Sequence, residues 1–143
     1  MYIGRYYHSL EDKGRVSLPK KFRLKTNEVF IVTRGLDGGL FLYPQETWKE
    51  TVSDLTSKSF TKKKHRDFIR LMTNDAQEVE VDKLGRIRIP DYLREFAKLE
   101  KDVVIVGSLK SIEIWDTKTY HDYIAIIEKE AEEIAEEVGE SST

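Results

Sequence analysis

The sequence predicts an α+β, β-rich fold built from two tandem units, with peripheral helices and a long C-terminal helix. Internal repetition is the first reason. Glu11-Asp12-Lys13-Gly14-Arg15-Val16-Ser17-Leu18-Pro19-Lys20-Lys21-Phe22-Arg23 reappears 71 positions on as Asp82-Lys83-Leu84-Gly85-Arg86-Ile87-Arg88-Ile89-Pro90-Asp91-Tyr92-Leu93-Arg94. Gly, Arg, Pro and the final Arg coincide, and Glu/Asp, Val/Ile, Leu/Ile and Phe/Leu are conservative. The second reason is alternation with period two, clearest in Arg86-Ile87-Arg88-Ile89, where arginines take one face of a strand and isoleucines the other. The third is the regular placing of glycine before, and proline after, each alternating segment.

Taken in order, each copy opens with a strand, about residues 2–10 and 77–82. An acidic turn follows, in which Gly14 or Gly85 supplies a positive φ at little cost. The short strands Arg15–Leu18 and Arg86–Ile89 come next. Pro19 and Pro90 then stand where a helix begins, because proline at the first helical position gives up only an unsatisfied N–H. The predicted helices are Lys20–Leu24 and Asp91–Leu99. Two β segments close each copy: Glu28–Thr33 and Leu40–Tyr43 flank Gly35-Leu36-Asp37-Gly38-Gly39, and Asp102–Val106 and Ile112–Trp115 flank Gly107-Ser108-Leu109-Lys110-Ser111. A helical connector separates the copies. Pro44 opens a stretch with Trp48, Val52 and Leu55 on one stripe, and a second stretch carries Phe68, Ile69 and Met72 against Lys62, Lys63, Lys64, Arg66 and Arg70. Asp116 is the expected N-cap of a last helix, striped by Tyr120, Tyr123, Ile124, Ile127, Ala131, Ile134 and Val138 and fraying into Gly139–Thr143. The division is therefore residues 3–47 (first unit), 48–75 (connector), 76–119 (second unit) and 117–143 (acidic helix and tail).

Composition narrows the function classes. The chain has 143 residues, with 39% hydrophobic and 35% charged, as expected of a globular domain. The lack of cysteine excludes disulfides, thiolate metal sites and a cysteine nucleophile, and fits a reducing cytoplasm. Apolar runs such as Val103–Val106 fall far short of the roughly 20 residues that span a bilayer. No secretory signal is visible in the first residues. The net charge of −2 hides an asymmetry. Residues 1–34 hold eight Lys/Arg against three acids and Lys58–Arg70 six against one, while seven glutamates and a single lysine lie between Glu128 and Thr143. One basic surface for an anionic partner and a solvated acidic tail elsewhere fit this distribution.

The Gly–Arg turns carry the most chemistry. Arg15 and Arg86 each follow a tight turn, with Lys13 or Lys83 nearby, and a guanidinium matches phosphate or the O6/N7 edge of guanine in bidentate fashion. The same spacing fits ion pairs that pin the turns, Glu11 with Arg15 and Asp82 with Arg86, and the two readings coexist where the acid orients the arginine. Arg88, on the same strand face as Arg86, and Arg34 are weaker candidates for DNA contact. Lys62–Arg66 reads as a solvated helix face or as nonspecific phosphate contact. Gly35–Gly39 lacks the Gly-Lys-Ser/Thr of a phosphate loop and reads as a hairpin turn. His8, His65 and His121 share no metal-ligand spacing, and no acid, base and nucleophile set converges, so neither a metal, a cofactor nor enzymatic activity is expected.

On these residues the sequence resembles the MraZ family, bacterial transcriptional regulators encoded at the division and cell-wall gene cluster, with two AbrB/SpoVT-like units in one chain, each marked by Asp-x-x-x-Arg. Asp82-Lys83-Leu84-Gly85-Arg86 matches in full. In Glu11-Asp12-Lys13-Gly14-Arg15 the usual Asp is Glu11, one carbon longer, which leaves Asp12 as an alternative partner for Arg15. Thr33–Asp37, Leu40–Pro44 and Ala97–Leu99 extend the likeness, which runs from about Ile3 to about Ile127. The resemblance implies interleaved units forming a pseudo-twofold, swapped-hairpin β-barrel, and ring-like homo-oligomers. It also implies repression through short direct repeats upstream of the protein's own operon, in a nucleoid-associated cytoplasmic location. Carried over by position, Arg15 and Arg86 would read DNA, assisted by Lys13 and Lys83 and supported by Glu11, Asp82, Gly14 and Gly85. An antitoxin-like protein-interaction module, or less favoured a metabolite-binding or enzymatic domain on the Gly35–Gly39 loop, are the alternatives.

Overall fold

Both halves fold as strand, tight turn, short strand, helical turn and hairpin. The computed structural model describes residues 1–23, 25 and 27–141. The strands are β1 Arg5–Ser9, β2 Arg15–Ser17, β3 Val29–Arg34, β4 Leu40–Pro44, β5 Gln77–Glu80, β6 Arg86–Arg88, β7 Asp102–Ser108 and β8 Ser111–Asp116. The helices are α1 Gln45–Thr56, α2 Lys63–Asn74, α3 Asp91–Phe96, α4 Thr117–Lys129 and α5 Ala131–Ser141, with a 3₁₀ turn at Lys20–Phe22.

The halves exchange strands. The main sheet runs β1-β7-β8-β4-β3-β5, antiparallel throughout, beside a separate two-stranded ribbon β2-β6. β1 pairs with β7 of the other half, Arg5 opposite Val106 and Ser9 opposite Asp102. β5 returns the exchange on β3, with Val29 opposite Glu80. The ribbon takes one strand from each half, Val16 opposite Ile87 at its centre. In strand pairing the sheet is not closed: it ends at β1 and β5, and β2-β6 forms its own layer.

One core holds the two layers together. Equivalent positions contribute in pairs, Val16 with Ile87, Leu18 with Ile89, Phe22 with Leu93, Leu40 with Ile112 and Leu42 with Ile114, all essentially out of solvent. Burial of this kind contributes roughly 1.5–3 kcal/mol per large side chain, and the main core draws it from both halves. On another side Val104, Val106, Trp115 and Tyr120 form a second apolar cluster, against which Tyr123 and Ile124 of α4 pack. Asp116 caps α4 by accepting from the Thr119 N–H at 3.3 Å. The connector docks through Trp48 on Tyr43, centroids 5.4 Å apart, and through Thr33 Oγ1, which donates to the Met72 carbonyl at 2.7 Å.

Several boundaries move from expectation. Pro19, Pro44 and Pro90 are N-caps and not first helical residues, while the helical segments after Pro19 and Pro90 begin at Lys20 and Asp91 as expected. The first helix reduces to the 3₁₀ turn, and Leu24, its expected end, lies outside the described residues. α3 stops at Phe96, with Lys98 left-handed (φ 54) and the Leu99 N–H donating back to the Arg94 carbonyl at 3.0 Å. β7 and β8 run on until Leu109 and Lys110 alone join them, Leu109 taking φ 68. The long C-terminal helix is two helices that break at Glu130. α4 rests on the sheet, whereas no residue of α5 is buried, and there glutamates four apart, such as Glu132 and Glu136, repel along the same face. The apolar stripe continues past the break, but Ile134 and Val138 are exposed. No helix among the described residues is long and apolar enough to cross a membrane.

Candidate nucleic-acid interface

The ribbon puts the predicted arginines on one face. Ladder partners share a face, and Arg15 lies opposite Arg88, Ser17 opposite Arg86. Val16 and Ile87 point the other way, into the core. A two-stranded β-ribbon with outward arginines has the dimensions to enter a major groove about 12 Å wide. Placing Arg15 and Arg88 directly opposite is unfavourable in itself, since like charges across a ladder repel.

The turns leading into the ribbon differ. In the second, Asp82 Oδ1 accepts from the backbone N–H of Leu84 and of Arg86, both at 2.9 Å, and Oδ2 accepts from Arg86 Nε at 2.9 Å. Partial desolvation acts to raise the Asp82 carboxyl, but the hydrogen bonds from the Arg86 backbone and side chain and from Leu84 outweigh it and hold it below its ordinary 3.8. Asp82 therefore contributes stability that is present above its unfolded value and lost as pH falls through the depressed folded value. Asp82→Asn is expected to unfold with a shallower dependence on pH below 3.8 than the wild type, measured by urea titration at a series of acid pH values. An unchanged acid limb would show that Asp82 does not anchor the turn.

In the first turn, the Glu11 side chain does not bond Arg15. Its carboxylate crosses to the other half, where Oε1 accepts from Arg86 Nη1 at 3.1 Å. Bonds from Glu11 and then Asp82 raise the Arg86 guanidinium further above its ordinary value. Arg15 makes no side-chain hydrogen bond or ion pair among the described residues, Asp12 included. Backbone bonds alone close this turn, Glu11 N to the Arg15 carbonyl at 2.7 Å and Gly14 N to the Glu11 carbonyl at 3.1 Å. Lys13 is left-handed at φ 63, exposed, and its carbonyl accepts from Arg88 Nε at 2.9 Å. Lys83 is exposed at the tip of the second turn.

Gly14 and Gly85 both have positive φ, 76 and 80. Each is also covered by the other half. A Cβ on Gly14 would come within 2.5 Å of Arg94 Nη1, and one on Gly85 within 2.3 Å of Arg23 Cζ. Ile89 N donates to the Gly14 carbonyl and Leu18 N to the Gly85 carbonyl, each at 2.9 Å. Sequence reasoning gave no role to Arg23 and Arg94. The available signal was the final arginine shared by both copies of the repeat.

Arg34 falls outside this constellation. It ends β3 in the main sheet, where Nε donates to Asp75 Oδ2 at 2.8 Å and the guanidinium lies 4.8 Å from the centroid of the Phe96 ring. On α2, Asp67 takes bonds from Lys63 and Arg70, so part of that basic face is neutralised internally. The Gly35–Gly39 loop closes a hairpin, Gly35 N donating to the Gly39 carbonyl at 2.9 Å.

Comparison with known sequences bears on what this surface serves. Residues 1–71 and 72–139 each match the family described as "MraZ protein, putative antitoxin-like". The chain belongs to the MraZ family. Its second matched unit begins within α2, ahead of β5. Among MraZ relatives, a protein of Halothermothrix orenii named transcriptional regulator MraZ is 44% identical over 135 residues, covering 94% of each chain.

Proposed function

We propose that this protein is a sequence-specific DNA-binding repressor whose reading surface is the outer face of the β2–β6 ribbon. The observation that carries the proposal is the convergence of Arg15, Arg86 and Arg88, drawn from both halves, on one solvent-facing side. Lys13 and Lys83 at the turn tips add phosphate contacts, and Glu11, Asp82, Gly14 and Gly85 hold the tips in shape. Arg34 is tied to Asp75 and drops out of the reading set. By family likeness, the targets are short direct repeats upstream of the division and cell-wall cluster, including the protein's own gene. Ring-like homo-oligomers would engage several repeats at once and gain avidity from effective concentration. The strand exchange is consistent with two interleaved AbrB-like units, at residues 3–47 and 76–119, in a swapped-hairpin barrel arrangement. The acidic helix faces away from DNA, and the protein works in the cytoplasm on the nucleoid.

Gel shifts on the DNA immediately upstream of the gene, with the number of repeats varied, test this. Binding is expected to exceed that to a shuffled duplex and to weaken with salt, the log–log slope being about −0.9 for each phosphate neutralised. Equal binding to both duplexes, or insensitivity to salt, would overturn it. A second reading, an antitoxin-like interaction module, is favoured by the exposed Ile134 and Val138 on α5. Stable co-purification with the product of an adjacent toxin gene is its test.

A further inference from the structure

The connector and the C-terminal helix present opposite surfaces. Between α1 and α2 the chain turns through residues 57–62, and the turn is pinned from within. Arg66 Nη1 donates to the Phe60 carbonyl at 2.9 Å, and His65 Nδ1 bonds the Ser59 carbonyl at 2.9 Å. The Phe60 ring stands 73% exposed on this turn, and Leu71 of α2 is exposed as well. Cations surround them. Asp67 neutralises Lys63 and Arg70, but the exposed Lys58, Lys62 and Lys64 make no side-chain hydrogen bond or ion pair among the described residues. α5 has the reverse character. Its Ile134 and Val138 are exposed one helical turn apart, and Glu133 and Glu137 flank them.

The repeat shows why α5 finds no seat on its own chain. In each half the closing hairpin is followed by two helices, α1 and α2 in the first, α4 and α5 in the second. Residues 57–62 give α2 room to fold back onto β3, where Thr33 Oγ1 donates to the Met72 carbonyl. Glu130 alone separates α4 from α5, short of the roughly 2–5 residues that join antiparallel helices, and no residue of α5 is buried. We infer that α5 of one copy of this chain docks on the α1–α2 turn of a second copy. Ile134 and Val138 would meet Phe60 and Leu71, with Glu133 and Glu137 facing Lys58, Lys62 and Lys64. Pairing α5 with α5 would set glutamates against glutamates, whereas the turn offers them cations. The two surfaces differ, so the contact is heterologous: each copy gives one helix and receives another. This contact rests on no part of the DNA reading.

Sedimentation velocity of the full chain, without DNA, tests it, with circular dichroism to check each fold. Wild type is expected to assemble at low salt and to lose assembly toward roughly 1 M, where screening acts beyond about 3 Å. Lys62→Glu/Lys64→Glu on the turn and Glu133→Lys/Glu137→Lys on the helix are each expected to sediment as a single chain. Putting all four changes in one chain reverses both surfaces together and is expected to restore assembly, as is mixing the two double variants. That rescue distinguishes a direct contact from damage to the fold. Ile134→Ser/Val138→Ser, on a helix with nothing buried, is expected to lose assembly too. Assembly that survives Lys62→Glu/Lys64→Glu means that α5 pairs with α5 or that another face joins the copies, and it overturns the inference. A four-change chain that folds but stays single overturns it equally. So does a wild type that remains a single chain at every concentration and salt, a result that leaves the stripe on α5 to a different protein. DNA binding is measured separately, by gel shifts on a duplex with a single repeat, so its failure and the failure of this contact are told apart.

Discussion

Arg15→Ala is expected to weaken binding to the upstream duplex about 5- to 150-fold at fixed salt, the range that corresponds to a bidentate contact of roughly 1–3 kcal/mol. The same change is expected to leave thermal stability within about 0.5 kcal/mol of wild type. Both expectations have one origin: the guanidinium has no side-chain hydrogen bond or ion pair among the described residues and stands on the outer face of the ribbon. Removing it costs the folded state no side-chain hydrogen bond or ion pair among the described residues, so a loss of affinity at unchanged stability would report on the ligand. Val16 behind it stays in the core, and the turn is closed by backbone bonds that alanine retains. Parallel gel shifts and melting curves make the comparison. Affinity that survives the substitution, or a fall in melting temperature that accounts for the lost affinity, would refute the assignment of Arg15 as a reader.

How much of this could be read from the sequence depended on the range of the interaction. The glycine turns, the Arg/Ile alternation and the order of elements are local consequences of residue type. Positive φ at Gly14 and Gly85, and the opposite facing of Arg88 and Ile87, followed from spacing alone. Contacts between the halves did not follow. Glu11 and Arg86 lie 75 positions apart, and the Arg94 that covers Gly14 is further still. Only the exchange of β1 and β5, and the pairing of β2 with β6, brings them together. The local expectation, Glu11 with Arg15, was reasonable for an isolated turn. A glutamate has the extra reach to cross to the second turn, whereas Asp82, one carbon shorter, accepts from its own backbone. The break at Glu130 escaped the periodicity because the apolar stripe continues through it. What changes there is the support: α4 has Trp115 and Val104 beneath it, and α5 has no residue buried against the fold.

Interleaving also governs what a core substitution does, and Phe22→Ala is where the effect is expected to be largest. Phe22 is 2% exposed, at the end of the helical turn that follows β2. Its ring meets Tyr2 and Tyr6 edge-on, with centroids 5.2 and 5.1 Å away, and Tyr6 belongs to β1, the strand lent to the other half. Truncation to alanine is expected to cost about 3–5 kcal/mol, a third or more of the stability of many domains. Urea unfolding should show this as a lower midpoint at unchanged slope. The protein contains its own control, since Leu93 fills the equivalent position in the second half and is fully buried. Phe22→Leu is accordingly expected to cost only about 1–1.5 kcal/mol, chiefly for the lost edge contacts with the tyrosines. Because β1 pairs with β7 and β2 with β6, the first half cannot open while the second stays folded. Both variants should therefore unfold in a single transition, by fluorescence and by circular dichroism alike. Two separated transitions, with the second half outlasting the first, would mean that each half folds around a core of its own, contrary to the strand exchange on which the shared ribbon depends.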